Sequence, residues 1–255
     1  MLEAHSLAFD SGGSRRIEKL GLTLESGRIH VVLGPNGSGK STLMALLSGL
    51  LEPDLGEVRL RGEPLHSYSL AERARHLAVM LQNQPLDFAF PVRDVIAMGG
   101  YPLDLSQPEL GRRIDQLAAG LDIAHLLDRS YLSLSGGEAQ RVQLARVLTQ
   151  RGRKPSLILL DEPLTALDLK HQHQALGLLR GLAAEGYAVF IVLHDLNLAA
   201  CYADRVLLMR QGRLVAQGES ASVMSADTLS SLYGVPIKRF ETPGGQVLFS
   251  SSGDS

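Results

Sequence analysis

Gly34-Pro35-Asn36-Gly37-Ser38-Gly39-Lys40-Ser41-Thr42 decides how this chain is read. The stretch fills the pattern G-x-x-x-x-G-K-[ST] and lies between an apolar strand-like run, Ile29–Leu33, and a helix-like run over residues 43–51. Strand, glycine-rich loop and helix start together turn backbone N–H groups and the positive end of a helix dipole toward one point, as a triphosphate requires. Gly34, Gly37 and Gly39 admit turns and close backbone approach that bulkier residues obstruct. Lys40 is expected on the β- and γ-phosphates and the Ser41 hydroxyl on Mg²⁺, so the stretch predicts binding of ATP or GTP.

Working outward, residues 2–9 and 17–24 alternate loosely, as an antiparallel pair would, with Gly12-Gly13 marking the bend. Buried-strand runs follow at Ile29–Leu33 and over 77–81, 157–160, 188–193 and 205–209, with helical patterns between several of them. That order predicts an α/β fold with a mostly parallel sheet and an antiparallel annex. From about 85 to 153 the apolar spacing is helical, at Val92, Val95 and Ile96 and again at Ile114, Leu117 and Leu121, so an inserted helical subdomain is expected there. The core is then expected over about 1–84 and 154–211, followed by an extension over about 212–255. Within that extension a helix is expected over Ala226–Tyr233, then a hairpin of Ile237–Glu241 and 246–250.

Two further stretches carry chemistry. Leu157-Ile158-Leu159-Leu160-Asp161-Glu162 is an apolar strand ending in two acids. Downstream of a phosphate loop, Asp161 is expected to hold Mg²⁺ through its water shell and Glu162 to polarise the attacking water. Leu134-Ser135-Gly136-Gly137-Glu138 precedes an amphipathic run over 139–148 and reads as a second helix start. Ser135 and Glu138 also have the spacing of a capping box, and both readings can hold at once.

With these motifs in hand, the chain resembles the nucleotide-binding subunit of an ABC transporter from residue 2 to about 234, Leu134–Glu138 being an LSGGQ-like signature with Glu138 in place of the usual Gln. The resemblance implies a P-loop NTPase (RecA-like) fold. It also implies that Gln82 is the Q-loop residue sensing metal and γ-phosphate, with Gln84 as the rival assignment. Thr165-Ala166-Leu167-Asp168 matches the D-loop, and His194 in Leu193-His194-Asp195 matches the switch histidine on the γ-phosphate. The aromatic residue that usually stacks on adenine is missing: Ser11 stands at its place, with Phe9 and Arg16 as candidate substitutes. The resemblance further implies a head-to-tail homodimer in which Ser135, Gly136 and Gly137 of one chain close on the nucleotide of the other. Two polytopic permease subunits and, indirectly, a substrate-binding protein complete the expected assembly.

The absence of a fused membrane domain, and the stretch Arg129-Ser130-Tyr131-Leu132 ahead of the signature, favour an importer. Phe90-Pro91-Val92-Arg93-Asp94-Val95, Ala166-Leu167-Asp168-Leu169-Lys170-His171-Gln172-His173 and His194-Asp195-Leu196-Asn197-Leu198-Ala199-Ala200 are similar to the iron-chelate, haem and cobalamin group, most of all to haem-import subunits. Ferric siderophore or cobalamin import is the alternative, and a soluble ABC ATPase the rival from another class. His171 and His173, two positions apart on a helix, point to different faces and are not read as haem ligands.

Composition agrees with a peripheral ATPase. The 255 residues are 45% hydrophobic and 20% charged with a formal net charge of -2, which gives no electrostatic footprint for nucleic acid. No run approaches about 18 consecutive apolar residues, and the N-terminus lacks a secretory pattern, so a cytoplasmic protein is expected; the resemblance implies a peripheral place on the cytoplasmic face of the inner membrane. The only cysteine, Cys201, is expected in the core.

Overall fold

The computed structural model describes residues 1–82, 86–152 and 156–251. The rival Gln84, and the expected domain boundaries at 84/85 and 153/154, lie outside the described residues.

The chain builds β1 (Leu2–Ser11), β2 (Ser14–Leu24), β3 (Ile29–Leu33), α1 (Lys40–Ser48), β4 (Leu55–Leu60), β5 (Glu63–Pro64), α2 (Leu70–His76) and β6 (Leu77–Met80). The helices α3 (Val92–Ala97), α4 (Gln107–Gly120) and α5 (Gly136–Thr149) follow. Between 86 and 152 the described residues form no strand, only an isolated bridge between Pro91 and Ser130. The chain then alternates β7 (Leu157–Asp161), α6 (Leu169–Ala184), β8 (Ala188–Val192), α7 (Leu196–Tyr202) and β9 (Arg205–Arg210). It ends with β10 (Arg213–Glu219), α8 (Ser220–Val223), α9 (Ala226–Tyr233), β11 (Ile237–Glu241) and β12 (Val247–Ser251).

The main sheet has the order β10-β9-β3-β8-β7-β6, parallel throughout except for the edge strand β10. Alternation along each strand splits its side chains between two cores. Val31, Ile158, Ile191 and Leu208 face the helical side, whereas Val32, Leu159, Phe190 and Leu207 face α1 and the N-terminal sheet. Each fully buried side chain of this kind contributes roughly 1.5–3 kcal/mol relative to exposure, which is why both faces read as continuous apolar runs.

The antiparallel annex is a sheet of its own, in which the N-terminal strands pair with β4 and β5 in the order β2-β1-β4-β5. The sequence reading passed over β4 because only Val58 and Leu60 of it are buried. Gly56, in the left-handed region at φ 82, brings it so close to β1 that a Cβ there would lie 2.3 Å from the His5 carbonyl oxygen. The strand after Gly212, β10, pairs antiparallel with β9 as the edge of the main sheet. One expectation changes: Cys201, expected in the core, is exposed, because α7 turns Leu198 and Ala199 into the core and leaves Cys201 off that stripe. Among the described residues, no helix is long and apolar enough to cross a membrane.

One buried polar side chain links this core to pH. His30 on β3 is 1% exposed, and its Nε2 accepts the Glu25 N–H at 3.0 Å. Burial pushes its pKa down from 6.5 to about 4. Between those values the unfolded chain binds a proton that the folded chain refuses, so stability falls as pH drops through this window. The loss amounts to about 3 kcal/mol by pH 4. Urea unfolding at pH 7 and pH 4.5 is expected to show most of it, and His30→Gln to flatten the dependence.

Candidate functional site

Three neighbouring strands of the main sheet end at one edge. After β3 the loop turns back on itself, and Gly39 caps α1 in the left-handed region at φ 101. A Cβ at Gly39 would sit 2.8 Å from the Arg16 carbonyl oxygen, so both conformation and space call for glycine. Helix α1 begins at Lys40, three residues earlier than its apolar pattern predicts, so Lys40, Ser41 and Thr42 form its first turn. Lys40 is buried and folds back on its own loop, donating to the carbonyls of Gly34 at 2.8 Å and Pro35 at 3.0 Å. Burial pulls its pKa down, against the opposing charges of Glu162 and Asp161.

Asp161 ends β7, 3% exposed. Burial pushes its pKa up, while a hydrogen bond from Ser41 opposes the shift. Its Oδ1 is buried with no hydrogen-bond partner in the chain, as is Ser38 Oγ. Unsatisfied buried oxygens of this kind call for an explanation. A carboxylate oxygen beside a serine hydroxyl is the donor chemistry that a hard divalent cation takes; Ser41 and Asp161 are the residues that fit it.

Glu162, the next residue, lies in the left-handed region at φ 50. This turns its side chain away from the strand direction and toward Gln82 and His194. Gln82 Nε2 donates to its Oε2 at 2.9 Å, and His194 Nε2 meets its Oε1 at 2.6 Å. The backbone carbonyl of Glu162 accepts from Thr165 Oγ1 at 3.1 Å and from Gln140 Nε2 at 3.4 Å. Sequence reasoning missed Gln140; an amide on a helix face carries no local signal. Arg16, Asn36, Lys40, Gln82, Glu162 and His194 line one open cleft of about 610 Å³, together with the rest of the loop from Gly37 to Thr42.

The signature lies elsewhere. Ser135 caps α5 in a full capping box: its N–H and Oγ both donate to Glu138 Oε2, at 2.7 and 2.8 Å, and Glu138 N–H returns to Ser135 Oγ at 3.4 Å. Gly136 lines a second cavity of about 470 Å³, which shares Gln82 and Glu162 with the first. Gly137 is pressed against the D-loop, since a Cβ would come within 2.9 Å of the Ala166 carbonyl oxygen. Asp168 caps α6, its Oδ1 accepting from the His171 N–H at 2.9 Å. Neither Asp168 nor residues 135–138 line the loop's cleft. Of the candidates for the base, Ser11 is exposed at the β1 end and Phe9, partly buried, packs against the core. Arg16 alone of the three lines the cleft.

Comparison with known proteins shows the family. The sequence description of ABC transporters matches residues 17–165. The hemin import ATP-binding protein HmuV of Escherichia coli O157:H7 is 44% identical over 247 residues, covering 95% of this chain and 96% of that protein. HmuV of Shewanella denitrificans is 44% identical over 236 residues, covering 91% and 93%. Among solved structures, an inward-facing ABC transporter described as of metal-chelate type superposes with a TM-score of 0.81 at 27% identity, covering 99% of this chain and 97% of that one. CbiO1 of Clostridium perfringens, part of the ABC transporter complex cbiONQ, gives 0.75 at 27% identity, covering 90% and 92%. A phosphate loop, a twinned acid pair and a signature helix on one α/β scaffold, matched along almost the whole chain, place this protein in the ABC transporter family as an ATP-binding subunit.

Proposed function

We propose that this chain hydrolyses ATP to drive haem import, as a peripheral subunit on the cytoplasmic face of the inner membrane. The observation that carries the catalytic part is the placement of Glu162. Its two carboxylate oxygens are fixed by Gln82 and His194 at the mouth of the cleft that holds Lys40 and Ser41. The backbone of Gly34–Thr42 and the Lys40 ammonium cradle the phosphates. Ser41 and Asp161, with Gln82 nearby, would hold Mg²⁺, which would supply charge neutralisation to the triphosphate. Glu162 accepts the proton of the attacking water, and His194 orients Glu162 and meets the γ-phosphate.

The signature residues Ser135, Gly136, Gly137 and Glu138, and the D-loop Asp168, line no part of that cleft. A second copy of the chain, related by a twofold axis, brings its own set to the γ-phosphate, so closure and hydrolysis are coupled. The permease pair docks on the helical side. There Phe88 and Phe90, 63% and 44% exposed with ring centroids 5.9 Å apart, and Tyr101, 94% exposed, present the apolar surface that marks protein contact. Cargo identity rests on the 44% identity to hemin import ATP-binding proteins over nearly the full chain; ferric siderophore or cobalamin remains the alternative cargo.

Replacing Glu162 with Gln keeps the contact to Gln82 but removes the charge. ATP still binds, hydrolysis falls roughly 10²-fold or more, and the variant persists as a closed dimer, whereas Lys40→Ala does not close. Phosphate release and light scattering with ATP measure both; near-normal turnover in Glu162→Gln would refute its role. For the base, Arg16→Ala is expected to weaken ATP binding about two- to fivefold by loss of a cation–π contact, and titration calorimetry reads this directly. In vesicles holding the permease and binding protein, haem-loaded binding protein stimulates ATP hydrolysis; stimulation by siderophore- or cobalamin-loaded protein alone would overturn the cargo assignment.

A further inference from the structure

Two histidines on α6 take no part in the cleft, and they face different neighbours. His173 Nδ1 meets the Tyr202 hydroxyl at 2.9 Å. His171 sits between two carboxylates: its Nδ1 is 2.7 Å from Asp168 Oδ1 and its Nε2 is 3.5 Å from Asp122 Oδ2, with the side chain only 18% exposed. A neutral imidazole has one N–H and can donate to one of them; only the ring protonated on both nitrogens donates to both.

The two carboxylates belong to different parts of the molecule. Asp168 ends the D-loop. Asp122 lies just beyond α4, in the left-handed region at φ 55, and is held from behind by α5. Arg141, buried on that helix, donates through Nη1 to the carbonyls of Leu121 at 2.9 Å and Asp122 at 2.6 Å. Lys170 Nζ reaches the same Asp122 Oδ2 at 2.9 Å. The charged groups facing the ring are therefore Asp168 and Lys170 from its own helix, Asp122 from the α4 end, and Arg141 behind Asp122 from α5. Both carboxyls are held below their usual range, Asp122 by the Lys170 hydrogen bond and charge and then by His171, Asp168 by the His171 backbone N–H and then by its ring.

We propose that His171 is a positioning residue that clamps Asp168 to Asp122 and so ties the D-loop to the signature helix α5. Asp168, His171, Asp122 and Arg141 form one continuous line of contacts that bypasses the cleft. Resting on the head-to-tail pairing proposed above, the clamp presents signature and D-loop together to the nucleotide of the second copy. Spatial continuity alone does not demonstrate coupling, so the test is a double-mutant cycle.

In the full chain, His171→Gln is expected to lower kcat about two- to fivefold, in keeping with the small energies of partly exposed ion pairs, with KM for ATP unchanged. Asp122→Asn does the same, and the double variant is no slower than either single one. His173→Gln, which breaks only the Tyr202 contact, leaves kcat as it was. An unchanged kcat in His171→Gln, or additive losses in the double variant, overturns the clamp; so does a loss seen only as a lower melting temperature. In a Glu162→Gln background, ATP-driven pairing is expected to weaken by the same factor on adding His171→Gln. If Glu162→Gln alone fails to pair, the head-to-tail reading falls, while the kcat cycle still decides the clamp.

Discussion

Parallel pairing of β3, β8 and β7 is the constraint on which the site depends. Because these strands run the same way in fixed register, Val32 opposite Val192 and Asp161 opposite Val192, their C-terminal ends meet at one edge of the sheet. The loop after β3, the acid pair at the end of β7 and His194 after β8 are brought together by that edge alone. In open α/β sheets ligands gather at this edge for the same reason. Everything more specific, including the grip on Glu162, is a refinement of what the sheet already places.

The strands that build this edge were legible because burial on both faces writes them as unbroken apolar runs, such as Leu157-Ile158-Leu159-Leu160. The catalytic candidates were legible because their chemistry requires fixed spacing from those runs. What escaped had neither property. β4 buries only Val58 and Leu60, and α2 buries nothing, so no period stands out. Cys201 was placed by residue type, a weak guide on a helix of seven residues. The link from Gln140 to Glu162 spans 22 positions and depends on tertiary packing, which a linear reading does not contain.

The acid pair shows how neighbours in sequence acquire different roles through environment. Asp161 follows the strand geometry inward and is buried, whereas Glu162 breaks from it at a positive φ and reaches the cleft. A non-glycine residue held in that conformation costs of order 1–3 kcal/mol. The surrounding contacts from Gln82, His194, Thr165 and Gln140 are what hold it there. One carboxylate is kept dry beside a serine hydroxyl and the other is kept oriented at an opening, as a division between metal holding and water activation would require.

The folded-back Lys40 makes nucleotide entry an exchange. Its ammonium already donates to the Gly34 and Pro35 carbonyls, so an incoming phosphate displaces partners that are neutral but well placed. A ligand bearing concentrated negative charge outcompetes them, since it adds to the hydrogen bond a direct attraction between opposite charges that a neutral carbonyl lacks. A nucleoside or a nucleotide lacking its outer phosphates has nothing to offer at that position, and the lysine stays on its own loop. Two carbonyl groups of the loop thus set a threshold against weakly charged competitors.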